Sequence, residues 1–413
     1  MEARKLMRKI TLLAALLLLA PVVTQAESLE ELLVKKGVIT KSEARAAHHG
    51  GGGVHWNNGT RLEFPDQGFS AKINTQLQTR YTYTDADDDV PGSADTSSFN
   101  IRRARIQVSG NALDNEFSYK VQADFVGSSD TDAGGNTVST PDLRDAYLTW
   151  HACDWADIQM GQFKTRNSRQ NYGSSAYLQF PDRSGASNFF AHDRQQGLRV
   201  GMSNEEGNMT LGAAIYNGES TGEGRNRAGL DTDHLFVVDA RYNYGDIDPY
   251  VEGDVDRTEG TAASLGASYW FSNATMTGVG GTEENGVSAD LTVKSNGMSL
   301  AGEFFWANFQ DDADTIDTDA VGFYVQGGYM ATDELELAAR WSYLDCDNGA
   351  ASAMGSGCSA GTDQVNEITA GLNYYWWKHN LKGQFAYVYN NDDAVAGSDV
   401  TTNKWMFQLS SYF

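Results

Sequence analysis

From about Phe69 to Phe413 the chain alternates apolar and polar residues with a period of two. In "AKINTQLQTRYTY", Ile73, Leu77, Tyr81 and Tyr83 share one face, and Lys72, Asn74, Gln76, Gln78 and Arg80 share the other. "FSYKVQADF" sets Phe117, Tyr119, Val121, Ala123 and Phe125 against Ser118, Lys120, Gln122 and Asp124. The last segment sets Trp405, Phe407, Leu409 and Phe413 against Lys404, Gln408 and Ser410. Successive side chains of a strand point to opposite faces, so the pattern predicts a sheet with one greasy and one polar face. A soluble sandwich or solenoid also alternates, but turns its polar face outward. Here the apolar face ends in aromatics (Trp150, Trp341, Tyr343, Trp376, Trp405), the arrangement of interfacial girdles around a membrane barrel.

The connections support a barrel. Those near 111–115, 152–154, 204–207, 295–296, 332–333 and 378 are short, whereas 84–97, 127–141, 164–195, 218–231, 309–318, 345–363 and 391–400 are long. Short and long connections alternate if "GDIDPYVEGDVDRTEG" (245–260) is a long periplasmic connection rather than a strand, and Pro249 argues for that demotion. The count is then about 16 strands, an even number with both ends periplasmic. The expected fold is all-β: a 16-stranded antiparallel transmembrane β-barrel over residues 69–413, with a short N-terminal helical periplasmic segment.

Residues 1–26 read as a signal peptide: Arg4, Lys5, Arg8 and Lys9 precede the apolar run Ile10 to Ala20, and Thr24-Gln25-Ala26 offers a small-residue cleavage site. Residues 27–68 are expected to hold a helical hairpin and a linker. Leu29, Leu32 and Leu33 form an apolar stripe, Gly37 stops it, and Thr40 with Glu43 makes a capping box for a second helix. "HHGGGGVHW" then reads as a flexible, solvated tract. The final Phe413 fits an assembly signal for outer-membrane barrels.

Composition changes the picture little. A mean hydropathy of -0.46 suits a barrel whose alternate residues meet water as well as it suits a soluble protein. The formal net charge of -24 gives no ground for a nucleic-acid partner, and no cofactor is expected. Cys346 and Cys358 bracket "CDNGAASAMGSGC" and are expected to form an extracytoplasmic disulfide; Cys153 is left over. "GCSAG" (357–361) has nucleophile-elbow spacing but lies in that loop without the strand and helix that present a nucleophile, so no enzyme is expected. The acidic runs "DADDD" (85–89) and "DDADTIDTD" (311–319) lack the glycine and closing glutamate of a calcium loop, and read as solvated charge or as a bridge through divalent cations to lipopolysaccharide.

Charge is segregated along the chain. Connections 84–97, 309–318, 345–363 and 391–400 carry acids and no Lys or Arg, whereas 164–195 carries Lys164, Arg166, Arg169, Arg183 and Arg194 against Asp182 and Asp193. The same connection contains "YLQFP" and "NFF", and a long loop with its own aromatics folds onto something. It is expected to fold into the lumen and narrow it. By alternation Lys72, Arg80, Arg103, Arg105, Lys120, Arg241 and Arg340 face the lumen together with Asp124 and Asp145. Mixed charge on an inner wall also follows from pairing across strands, and a general water-filled pore accounts for much of it. Basic groups gathered at a constriction favour anions.

At this point the residues resemble a known family. "SFNIRRARIQVSGNALDNEFSYKVQADF", "LRDAYLTW", "IQMGQFKT", "DRQQGLRVGM" and "ADLTVKSNGMSLAGEFFW" follow one another as in the phosphate-selective porin O/P family, over roughly residues 69–413. The resemblance implies a 16-stranded trimeric outer-membrane porin whose third extracellular loop folds inward and whose lumen binds phosphate or related anions. It places Arg102 and Arg103 near the constriction and Lys164 where the inward loop begins. The dense arginine ladder of phosphate-specific members has no counterpart in 255–290, where Arg257 is the only base.

The expected function is a passive channel for small hydrophilic solutes, with small anions such as phosphate preferred at Arg102, Arg103, Arg105, Lys120, Lys164, Arg166 and Arg169. The alternatives are a general or cation-preferring porin and, from another class, a barrel adhesin or enzyme. Strict alternation leaves one question of register: Arg103 and Arg105 face the lumen, but Arg102 falls on the outer face, where it would reach lipopolysaccharide phosphates unless the strand is irregular.

Overall fold

The computed structural model describes residues 53–87, 94–131, 137–218, 234–272, 282–311, 317–346, 362–394 and 399–413. The expected signal peptide and helical hairpin lie outside them. Two short strands come first, β1 (Gly53–Trp56) and β2 (Thr60–Phe64). The barrel follows: β3 (Phe69–Asp85), β4 (Thr96–Ala112), β5 (Phe117–Thr131), β6 (Thr137–Cys153), β7 (Ala156–Lys164), β8 (Arg194–Ser203), β9 (Met209–Tyr216) and β10 (Leu235–Tyr244). Its second half is β11 (Ala262–Ser272), β12 (Thr282–Ser295), β13 (Met298–Asp311), β14 (Asp317–Met330), β15 (Leu335–Asp345), β16 (Thr362–Trp377), β17 (Leu381–Ala394) and β18 (Val400–Tyr412). Every strand pairs antiparallel with the next, and β18 returns to pair with β3 from Asn403↔Asp85 to Tyr412↔Gln76. Sixteen strands therefore close without an edge, which removes the unpaired backbone groups that lipid cannot solvate.

Alternation decides which way each strand faces. Large apolar residues such as Leu148, Met160, Val238, Leu265, Leu291, Val325 and Phe385 are exposed, while Gln76, Gln78, Gln122, Asp145, Gln326, Gln384 and Gln408 are buried. This inside-out distribution is stable only with hydrocarbon outside. Among the described residues no helix is long and apolar enough to cross a membrane; the crossing is made by strands. Turns on the periplasmic side are tight. At Asn296-Gly297 both residues have positive φ (50° and 86°), the backbone of a two-residue hairpin turn, and Asn-Gly is the pair that tolerates it best.

Three features depart from the sequence reading. Residues 53–64, expected within a flexible linker, form a hairpin whose second strand pairs with the start of β3 from Thr60↔Ile73 to Phe64↔Phe69. Trp56 packs there against Trp377 and Phe413, so an aromatic contact orders what glycines alone would leave loose. β5 and β6 continue through much of the span read as a loop, pairing as far as Thr131↔Thr137. The span 245–261 is a non-strand periplasmic connection as expected, but it turns into the barrel rather than away from it.

Candidate pore constriction

The register question is answered by a β-bulge. Gln78 pairs with Arg103 and Thr79 with Ile101, so Arg102 is an extra residue in β4. Before the bulge Phe99 and Ile101 face lipid; after it Ile106 does. An inserted residue shifts the alternation by one position. Arg102 therefore joins Arg103 on the inner side instead of reaching the outer surface, and its Nε lies 3.7 Å from Asp182 in the barrel interior. Arg105 follows on the same face, about 7 Å further along the strand.

Asp182 belongs to the long connection 165–193 between β7 and β8, which folds into the lumen. Its two short helices, α1 (Arg169–Tyr172) and α2 (Gly185–Phe190), are each capped by a serine, Ser168 and Ser184. Its apolar residues explain the fold. Phe190 stacks on Phe305 of β13 at 5.0 Å within a buried cluster that includes Phe163, Trp270, Phe309 and Leu344. Phe180 sits in a second buried cluster with Ala338, Ala386, Val388 and Met406. Gly371 makes room for Phe180, since a Cβ there would stand 2.8 Å from its ring.

Polar contacts fix the loop's height in the pore. Arg80 donates to both Asp182 oxygens at 2.7 and 3.0 Å and to the Pro181 carbonyl at 2.8 Å. Burial opposes charge on Asp182, yet Arg80, with Arg102 and Arg103 behind it, holds its carboxyl down to about 2. Glu303 accepts from the backbone N–H of Arg169 and Gln170, and Glu336 accepts from Gln179. Lys382 donates to the Leu178 carbonyl, Asn373 to that of Gln179, and Lys164 to those of Asn171 and Gly173. Thus the wall satisfies the backbone groups that a buried loop would otherwise leave without partners.

The periplasmic connection 245–261 meets this loop from the other side. Glu252 accepts from the Gln179 N–H at 2.8 Å and the Gln170 side chain at 3.0 Å, and lies 3.6 Å from Arg169. Burial raises its carboxyl pKa, but Arg169 and the Gln179 N–H bring it below the usual value. Between the two connections and the wall of β4 to β8 lies a cavity of about 280 Å³, whose lining includes Arg105, Lys120, Lys164, Arg166 and Arg194, with Asp145 and Asp248 as its acids.

Comparison with known proteins places this geometry. The sequence profile of phosphate-selective porin O and P matches residues 73–412. The chain belongs to that family. Among solved structures it is similar to the outer-membrane channel DcaP of Acinetobacter baumannii, with 14% identity, a TM-score of 0.57, and 84% of this chain and 97% of that chain covered. It is also similar to an anion-selective porin from Comamonas acidovorans, with 10% identity, a TM-score of 0.56, and 84% and 100% covered. OmpT of Vibrio cholerae gives 12%, 0.56, 84% and 98%. At these identities the likeness is one of fold. No curated protein matches the chain in sequence. Family and fold make the protein a bacterial outer-membrane channel.

Within this porin the residues singled out from sequence separate into groups. Arg102, Arg103, Arg105 and Lys120 line the inner wall beside the inward loop, and the Nε of Arg103 is buried without a hydrogen-bond partner among the described residues. Lys164 reaches the cavity but spends its ammonium on loop carbonyls. Arg166 stacks over Tyr172 at 4.5 Å. Arg169 is not brought to the pore. It lies between loop and wall, donating to Pro249 and Tyr324. Asp124 pairs with Arg105, Asp145 with Lys120 and Arg194, Arg241 with Asp290, and Arg340 with Glu367, all facing inward; Lys72 lies near the periplasmic mouth, opposite Ser109. Cys346 is buried and disulfide-bonded, while Cys358, its expected partner, lies outside the described residues.

Sequence reasoning gave no anchoring role to Glu252, Glu303 and Glu336: Glu252 is one acid among several in the connection 245–261, and the other two read only as acids on inward strand positions. The missing arginine ladder also has a physical reason. The inward positions of β11 to β13 include Ser268, Trp270, Ser288 and Phe305, and these are covered by the loop, where a row of cations would be stranded without water.

Proposed function

We propose that this porin is a passive diffusion channel that prefers small anions, engaging oxyanions such as phosphate at Arg102 and Arg103, with Arg105 and Lys120 next along the path. One observation carries the reading: the bulge turns Arg102 and Arg103 inward together, so that with Arg80 they share the single carboxylate of Asp182. Cations in excess of their counter-charges attract a mobile anion, and guanidinium donors replace part of its hydration shell as it passes. Arg102, whose side chain is 44% exposed, supplies the open donors for this. The name of the family and that of the anion-selective porin from Comamonas acidovorans agree with the reading. We also infer a homotrimer, the state in which OmpT of Vibrio cholerae has been solved.

The test is chloride current through the purified protein in a planar bilayer with millimolar phosphate added. Block is expected, and Arg103→Ala should relieve it. A current indifferent to phosphate contradicts oxyanion engagement and leaves a general porin. A second reading, cation preference, is favoured by the extracellular rim, where Asp317, Asp319 and Asp345 line one recess. It predicts a zero-current potential of the opposite sign.

A further inference from the structure

The cavity under the inward loop carries rings as well as charge. Tyr147 and Phe163 come from β6 and β7, Tyr172 and Tyr177 from the inward loop, Tyr250 from the periplasmic connection and Tyr412 from β18. They line the cavity as three pairs: Tyr172 and Tyr250 are 4.7 Å apart, Tyr147 meets Phe163 edge-on at 5.9 Å, and Tyr177 meets Tyr412 edge-on at 5.7 Å. The five tyrosines are half-buried, and Arg166 lies over one face of Tyr172 and Arg241 over one face of Tyr250. Lys120 stands directly opposite Tyr147 in the β5–β6 register, which puts an ammonium and a ring side by side on the inner face. Its carboxylate partner Asp145, at 2.7 Å, is shared with Arg194 at 2.6 Å. Arg166 likewise shares Asp239, 3.9 Å away, with Arg199, which holds it at 3.0 Å.

We propose that this cavity is a binding site for organic carboxylates that carry an aromatic ring. The inference rests on the anion-channel reading above and names a substrate class for it. The carboxylate sits at Lys120, whose ammonium keeps donors beyond the one given to Asp145, and takes a charge-assisted hydrogen bond. The ring sits among Tyr147, Tyr172 and Tyr250, edge against face, and its apolar surface leaves water. Inorganic phosphate makes only the first kind of contact. A wall built for phosphate alone has no use for six rings.

The experiment compares benzoate, cyclohexanecarboxylate, acetate and inorganic phosphate as blockers of chloride current through the wild-type porin in planar bilayers. Benzoate is expected to block about tenfold more tightly than acetate, and more tightly than cyclohexanecarboxylate, which has the bulk without the quadrupole. Tyr147→Leu should remove most of the benzoate advantage, and Lys120→Gln should weaken block by all three carboxylates. Tyr250→Leu, on another side of the same seat, gives a second reading should Tyr147→Leu fail to assemble. Equal block by benzoate and acetate, or benzoate no better than cyclohexanecarboxylate, overturns the proposal; with chloride selectivity intact, the anion-channel reading survives it. A cation-selective channel blocked by none of the four overturns both.

Discussion

Arg80 on the barrel wall grips Asp182 on the inward loop through two hydrogen bonds, at 2.7 and 3.0 Å, and so sets the loop directly beside Arg102 and Arg103. The pair does two things. It anchors the loop at a fixed depth, and it supplies a carboxylate around which Arg80, Arg102 and Arg103 gather.

The anchor should be insensitive to pH until strong acid. Asp182 has its carboxyl lowered to about 2 in the folded porin, against about 3.9 in an unfolded chain. A lowered pKa stabilises the folded state above the unfolded value, and that contribution is lost as pH falls from about 4 towards about 2. The difference in single-channel conductance between the wild type and Asp182→Asn should therefore hold steady between pH 7 and 4 and shrink only below that. Asp182→Asn should show the disturbed conductance already at neutral pH. A difference between the two that collapses near pH 6 would contradict the assignment.

Glu252 should act as the latch between the two inward connections. It accepts hydrogen bonds from Gln170 and Gln179 and neighbours the buried Arg169. Breaking such a pair from one side costs about 3–5 kcal/mol because the other charge is left buried. In Glu252→Ala the two connections should separate, with conductance rising and the inward loop becoming open to protease. Unchanged conductance and protease resistance would show that the wall contacts of Phe180 and Phe190 suffice.

Val325 lies roughly midway along β14 with its side chain on the lipid face, opposite Trp341. Val325→Arg should destabilise the barrel by about 2–4 kcal/mol, as a cation near the bilayer midplane does. Equilibrium unfolding from lipid vesicles in denaturant measures it. A change below about 0.5 kcal/mol would place Val325 away from the hydrocarbon.

Much of this architecture was legible in the chain. The faces of β3 and β5 follow from simple alternation, and Pro249 together with the alternation of short and long turns leads to the strand count. The aromatics of "YLQFP" and "NFF" point to an inward loop, and they prove to be its seats, Phe180 and Phe190. The inward turn of Arg102 was legible only through the family resemblance, because a period-two reading has no means of detecting an extra residue; pairing with β3 reveals the bulge. Nor were the latches. Glu252, Glu303 and Glu336 are distant in sequence from the loop residues they hold, and an acid in a polar connection or on an inner wall looks the same whether it meets water or an amide N–H of the loop. Arg169 misled for the complementary reason: its charge counts towards a basic loop, but its guanidinium is used up on Pro249, Tyr324 and Glu252.

The central claim is that Arg102 and Arg103, brought inward together, give the pore its preference for anions. The most direct test is the zero-current potential across a planar bilayer under a potassium chloride gradient, for the wild type and for the Arg102→Gln, Arg103→Gln double variant. The wild type should give a potential of the sign set by chloride, and the double variant should move it towards zero or past it. A wild-type potential of the sign set by potassium, or a double variant indistinguishable from the wild type, would contradict the account.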